Sequence, residues 1–183
     1  MIFVPVLGSK TKKVEVVLDK EGQEEKLLVV FAGKGKDVID LDLSTIHKSA
    51  STQGRIIVRG ILLDSAFARI KGLIKIEKNA QKSEDFLEEK ALLVGKDSKV
   101  ETYPYLEIEA DDVRASHGAT VGVVDEEQLF YLRSRGLTRS KAVELIIGGF
   151  LDGVLDDLGV DVAQREHKRL LSKLEEVKSY ALG

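Results

Sequence analysis

The sequence predicts a mainly β chain closed by a short α-helical region. Three observations carry this. Up to residue 124, apolar residues alternate with polar ones or gather in short β-branched runs, the pattern of strands. No helix-period segment separates those runs, so a sheet of βαβ units is not expected. At Asp125 the pattern changes to capped segments of helical period.

In chain order, Val14, Val16 and Leu18 alternate, and Leu27 to Phe31 is a continuous apolar run. Ile39, Leu41 and Leu43 alternate with Asp40 and Asp42. Ile56-Ile57-Val58, Ile61-Leu62-Leu63, Phe67 to Ile70 and Leu73 to Ile76 follow closely, with Gly54, Gly60 and Gly72 read as punctuation. Residues 77–90 are polar and charged and read as a surface loop or corner, with room for a helical turn at Phe86-Leu87. Strands resume at Leu92-Leu93-Val94, Leu106 to Ala110 and Val121 to Val124. Asn-Gly and Asp-Gly hairpin turns are absent apart from Asp152-Gly153, in the helical region. Many short strands without hairpin signals fit a β-solenoid, and they also fit a sandwich; no crisp repeat separates the two.

The helical region begins with Asp125 as N-cap and Gln128 three residues on. Glu126 and Glu127 suit the positive end of the helix dipole, Arg133 and Arg135 the negative end. Gly136 is a natural left-handed stop. Thr138 then caps a second helix, in which Ala142, Leu145, Ile146, Gly149, Phe150 and Val154 share one apolar face. A third helix is expected after Asp161, with Leu170, Leu171, Leu174 and Val177 on its apolar side. The expected division is 1–124 and 125–183.

Composition bounds the function. The 183 residues are 43% hydrophobic and 5% aromatic, with no Trp, so one domain with an aliphatic core is expected. A net charge of -3 gives no electrostatic case for nucleic acid or an anionic membrane. With no cysteine, the chain can supply neither a disulfide nor a thiolate ligand. The apolar start, Met1 to Gly8, is short, lacks a basic flank and is broken by Pro5, a poor signal peptide. No stretch approaches the ~20 apolar residues of a membrane span. The chain reads as cytoplasmic.

The densest run is Tyr105-Leu106-Glu107-Ile108-Glu109-Ala110-Asp111-Asp112-Val113-Arg114-Ala115-Ser116-His117-Gly118-Ala119-Thr120-Val121-Gly122, continuing into Asp125-Glu126-Glu127-Gln128-Leu129-Phe130-Tyr131-Leu132-Arg133-Ser134-Arg135-Gly136. Physically it is a strand, a histidine between small residues, a bend and a capped helix. Strand parity sets Val113, Ala115 and His117 on one face. Taken alone, His117 reads as a half-buried imidazole satisfied by a backbone carbonyl. Glu107, Glu109 and Asp111 form a same-face carboxylate row that reads as the solvated side of a strand, with Leu106, Ile108 and Ala110 inward. His47 and His167 are isolated and read as surface residues. The acidic neighbours Glu144, Asp152, Asp156 and Asp157 argue against DNA contact by the helices.

Both blocks, and Ser116 to Gly122 in particular, closely resemble the C-terminal signature of the SufB/SufD family, scaffold proteins of iron–sulfur cluster assembly, and most of all its SufD branch. The resemblance implies a right-handed parallel β-helix and no enzymatic activity. It implies pairing with a SufB-like chain or a second copy, and docking of the ATPase SufC on the helical region, for which Gln128, Leu129, Phe130, Arg133, Arg135, Leu145 and Phe150 are the candidates. It implies that His117 lies at the pairing interface and helps ligate or shape a nascent cluster. No cofactor is expected on the isolated chain, and an iron–sulfur cluster only transiently in the complex. Two departures stand out. Family members carry an N-terminal helical region and a longer β-helix, too much for 183 residues, and a SufB-type role uses a cysteine. A reduced SufD, or a scaffold with an altered role, is therefore expected. The competing class is a β-solenoid enzyme or binding module for carbohydrate, which needs clustered acidic and basic side chains on one solenoid face.

Overall fold

The computed structural model describes residues 1–158 and 164–182. Its strands are β1 (Ile2–Leu7), β2 (Lys10–Leu18), β3 (Glu24–Gly33), β4 (Val38–His47), β5 (Gln53–Leu62), β6 (Phe67–Ile76), β7 (Glu84–Leu93), β8 (Lys99–Ile108) and β9 (Arg114–Val123), followed by helices α1 (Glu126–Ser134), α2 (Arg139–Leu158) and α3 (Gln164–Leu182). Odd strands form one sheet in the order β1-β3-β5-β7-β9 and even strands a second, β2-β4-β6-β8. Every pairing is parallel and joins a strand to the next but one, so each turn of chain stacks on the last. This bears out the solenoid, in about four turns, over the sandwich. The aligned set Leu28, Ile57, Glu88 and Gly118 shows why no repeat was visible. Spacing and chemistry both change from turn to turn.

The lumen holds a largely aliphatic core that includes Leu27, Val29 and Phe31 of β3, Ile39, Leu41 and Leu43 of β4, Ile56 and Val58 of β5, and Ile70, Ile74 and Ile76 of β6. Gly54, Gly60 and Gly72 do not punctuate; they lie inside ten-residue strands. A side chain at Gly60 would strike the Phe31 ring, one at Gly72 the Leu87 side chain and one at Gly54 the Asp85 carboxylate. The glycines make room for large neighbours in a narrow lumen.

The reading of 77–90 as a loop is corrected for its second half. From Glu84 the chain is strand β7, with Asp85, Leu87, Glu89 and Ala91 buried in alternation. The outward residues are charged too: Glu88 pairs with Arg59 at 3.3 Å and with Lys90 at 2.6 Å. Charge on both faces hid the period of two.

Asp125 caps α1, its Oδ1 accepting from the Glu127 amide at 2.8 Å. Gly136 ends it at φ +93°, where a β-carbon would be strained. Thr138 Oγ1 accepts from the Lys141 amide at 3.3 Å and caps α2. The expected start of the third helix, the side chains of His167, Leu170 and Leu171, and those of Asp156 and Asp157 lie outside the described residues.

Helices α2 and α3 lie along the outer face of the odd-strand sheet. Ile147, Leu151 and Val154 of α2 and Leu174, Val177 and Ala181 of α3 close over Leu28, Val30, Ala32, Ile57 and Ile61. Fully covering Ile57 and Ile61 contributes roughly 1.5–3 kcal/mol each. A polar latch fixes the end of α3: Tyr180 donates to Asp37 Oδ2 at 2.6 Å, and Lys34 Nζ sits 4.7 Å from the Tyr180 ring centre. Burial pushes the Asp37 carboxyl up, but hydrogen bonds from the Lys34 amide, Tyr180 and Ser9 outweigh it and hold it below 3.8. The same contact pushes Tyr180 up to about 12. Tyr180→Phe should therefore cost about 1 kcal/mol at neutral pH, allowing for solvent screening. Because Asp37 is held low, this contribution is present above 3.8 and is lost as pH falls through the folded value. The gap in melting temperature between wild type and Tyr180→Phe should close in that acid range, and a gap independent of pH would contradict the latch.

Candidate functional site

The last turn of the solenoid is open. β8 and β9 are the terminal strands of their sheets. Parity turns Leu106 and Ile108 inward, as expected, but they stay 39% and 43% exposed because no further turn covers them. The residues beneath them in register, Ile74 and Ile76, are fully buried. Tyr103, Tyr105, Val121 and Val123 add to this apolar end, Val123 at 70% exposure. By contrast β2, at the other end of its sheet, carries exposed Lys10, Lys12 and Lys13, which discourage edge pairing.

His117 lies on this open turn. Val113 and Ala115, of the same parity, pack on the lumen core, so the expected face is borne out. The ring itself is exposed, not half-buried, and bonds to none of the described residues. In register His117 stacks on Leu87, and Ala119 stacks on Glu89. Glu89 is 2% exposed, and neither carboxyl oxygen has a hydrogen-bond partner. Burial pushes it up to about 7. Its neighbour Glu88, outward on the same strand, is held low by Lys90 and Arg59, which overcome its burial.

A second polar cluster, missed by the sequence reading, lies where the lumen meets the starts of β5 and β7. His47 Nε2 bonds Asp85 Oδ2 at 2.8 Å and its Nδ1 bonds Thr52 Oγ1 at 2.8 Å. Thr45 donates to Asp85 Oδ2 at 2.5 Å, and Thr52 and Ser83 join through their hydroxyls at 2.7 Å. The reading of His47 as a surface residue is thus corrected: His47 and Thr52 are both 0% exposed. The order Asp85, His47, Thr52 has the connectivity of a nucleophilic relay, but a hydroxyl sealed from solvent cannot meet a substrate. The cluster instead ties successive turns together. Its signal was available, because His47 has the parity of Leu41, Leu43 and Thr45.

The remaining candidates separate by burial. Gln128, Phe130, Arg133, Arg135 and Leu145 are exposed, Phe130 at 74%. Leu129 is buried and Phe150 packs on the helix–sheet core, so these two support the surface from below. An open, mainly apolar groove of about 580 Å³ runs between α1 and α2, lined by Gln128, Tyr131, Leu132, Leu145, Ile146 and Gly149. Arg135 stacks on Tyr131, its guanidinium 5.4 Å from the ring centre. The expected carboxylate row does not share one strand, since β8 ends at Ile108; Glu107 pairs with Lys75 at 3.6 Å. Among the described residues no three His, Asp or Glu side chains converge on a point that could hold a metal. Likewise no described helix is long and apolar enough to cross a membrane.

Fold and site together define a parallel β-solenoid with an open apolar end bearing one exposed imidazole, and a helical tail with an exposed groove. Residues 6–150 match the SufBD core domain of the SUF system for FeS cluster assembly. The chain is 33% identical over 172 residues to an iron-sulfur cluster assembly SufBD family protein of Mycobacterium leprae, 92% of this chain and 20% of that protein. It is 35% identical over 146 residues to the iron-sulfur cluster assembly protein SufD of Bacillus subtilis, 80% of this chain and 33% of that one. Against the protein SufD of Escherichia coli it is 43% identical over 104 residues, 57% of this chain and 25% of that one. The chain belongs to the SufBD family of iron–sulfur cluster assembly proteins. It spans between a fifth and a third of the length of these relatives.

Proposed function

We propose that this chain works in the cytoplasm as a non-enzymatic, SufD-like scaffold of the SUF machinery. Its open turn pairs with a SufB-like chain or a second copy, and its α1–α2 groove docks a SufC-like ATPase. A cluster forms at the paired end, where His117 lies, and is held only in the complex. The observation that carries the reading is the open turn itself. Six large apolar side chains left exposed around an edge strand are costly in water and characteristic of a surface awaiting a partner. His117 sits among them on β9. With no cysteine in the chain, sulfur ligands come from the partner.

The ATPase contact has its own test. Phe130 is exposed, so Phe130→Asp should leave the melting temperature unchanged and weaken binding of a SufC-like ATPase by roughly 30-fold or more, as loss of an aromatic anchor does. Calorimetric titration of wild type and variant measures it. Equal affinity would remove Phe130 and the exposed face of α1 around it from the docking surface. Deleting 125–183 is a poorer test, because it uncovers Leu28, Val30, Ile57 and Ile61.

A further inference from the structure

Glu89 has no structural reason to be an acid. It is a carboxyl in an aliphatic lumen, with Val58 in register below it and both oxygens unpaired. An unpartnered buried polar group costs stability, and a leucine there would pack without that cost. Its position is what singles it out. β7 is the last covered strand of its sheet, and Ala119, a small and exposed residue, is stacked on Glu89 toward the open end. His117 has the same parity on β9, one diagonal step away. Ordinary strand spacing puts the two backbone positions roughly 8 Å apart, within reach of two long side chains meeting at one point.

We propose that Glu89 and His117 form a divalent-cation site on the lumen side of the open end, a carboxylate–imidazole pair suited to a borderline transition-metal cation such as ferrous iron. This rests on the reading of the open turn as the assembly site, and adds a ligand to it. An imidazole with one carboxylate is a hard-to-borderline set that takes such a cation in preference to calcium or magnesium. On binding, the Glu89 side chain, sealed when no cation is bound, turns past Ala119 toward the open end; its carboxyl gives its proton to solvent and an oxygen lone pair goes to the metal, while the His117 ring contributes a nitrogen lone pair. Nothing is oxidised or reduced. Water or groups from a pairing chain complete the coordination, since two side chains do not.

Cobalt(II) is the probe, because its visible absorption reports ligand number. Titrated into the full chain, it should bind at one equivalent. Glu89→Gln and His117→Ala should each weaken that binding at least about ten-fold. Glu89→Leu, which also removes the unpaired group, should lose binding and melt higher than wild type, so loss cannot be ascribed to unfolding. Should Glu89→Gln and Glu89→Leu bind as tightly as wild type while His117→Ala does not, Glu89 is not a ligand, although His117 keeps its place. If all three variants bind like wild type, or wild type binds no cobalt, the site does not exist.

Discussion

Asp85→Ala is expected to melt roughly 10 °C below wild type. Removing Asp85 strands two buried hydrogen-bond partners at about 1–3 kcal/mol each, and a chain of this size loses about 2–4 °C per kcal/mol. The size of the effect follows from what is stranded. His47 has Nε2 committed to Asp85 and is 0% exposed, so its ring has no water to turn to. Thr45 loses its acceptor in the same step. These groups belong to β4 and β7, in different sheets, so the damage spreads across the solenoid's cross-section. Asp85→Asn, which keeps an acceptor for His47, should cost about half as much. Thermal unfolding followed by far-ultraviolet circular dichroism measures both. A change of only about 2 °C in Asp85→Ala would mean that the cluster contributes little to holding the turns together.

Much of the fold was legible, and the failures have physical causes. Strands before 124 and capped helices after it could be read because alternation and capping are local. Asp125, Gly136 and Thr138 occupy the roles their chemistry suggested. Strand β7 was hidden because Asp85 and Glu89 are buried acids, and hydrophobic period cannot see an acid that faces inward. Gly54, Gly60 and Gly72 looked like breaks because glycine usually is one. Only the neighbours, Asp85, Phe31 and Leu87, show that these positions trade a side chain for space. The outer face of the odd-strand sheet was invisible as a helix platform. Leu28, Val30, Ile57 and Ile61 read as lumen or strand residues until α2 and α3 are seen to cover them, so the helices lie along the solenoid and leave its end free. For the site, parity placed His117 on the right face. Its exposure was not legible, because nothing in the order of residues says that the helices following β9 pack on the sheet face and leave the last turn uncovered. Glu89 was passed over for the same reason as β7, and its tie to His117 exists only through the register of two strands.

The second large effect is expected at the open end. Leu106→Asp combined with Val121→Asp puts two charges where an apolar surface must be desolvated, and should weaken pairing with a SufB-like chain or a second copy by roughly 100-fold or more. Both residues are already substantially exposed, so folding should survive, and light scattering coupled to gel filtration should show the variant unpaired. His117→Ala should behave differently. It truncates an exposed ring between Ser116 and Gly118, so pairing and ATPase binding should persist while cluster formation falls. The decisive measurement is the visible absorption of anaerobically reconstituted complexes, containing this chain, a cysteine-bearing SufB-like partner and the ATPase. Wild type should develop the cluster band, His117→Ala about ten-fold less of it, and the end-turn variant or the isolated chain none. Equal bands from wild type and His117→Ala would remove the imidazole from the mechanism, and a stable cluster on the isolated chain would contradict the scaffold account.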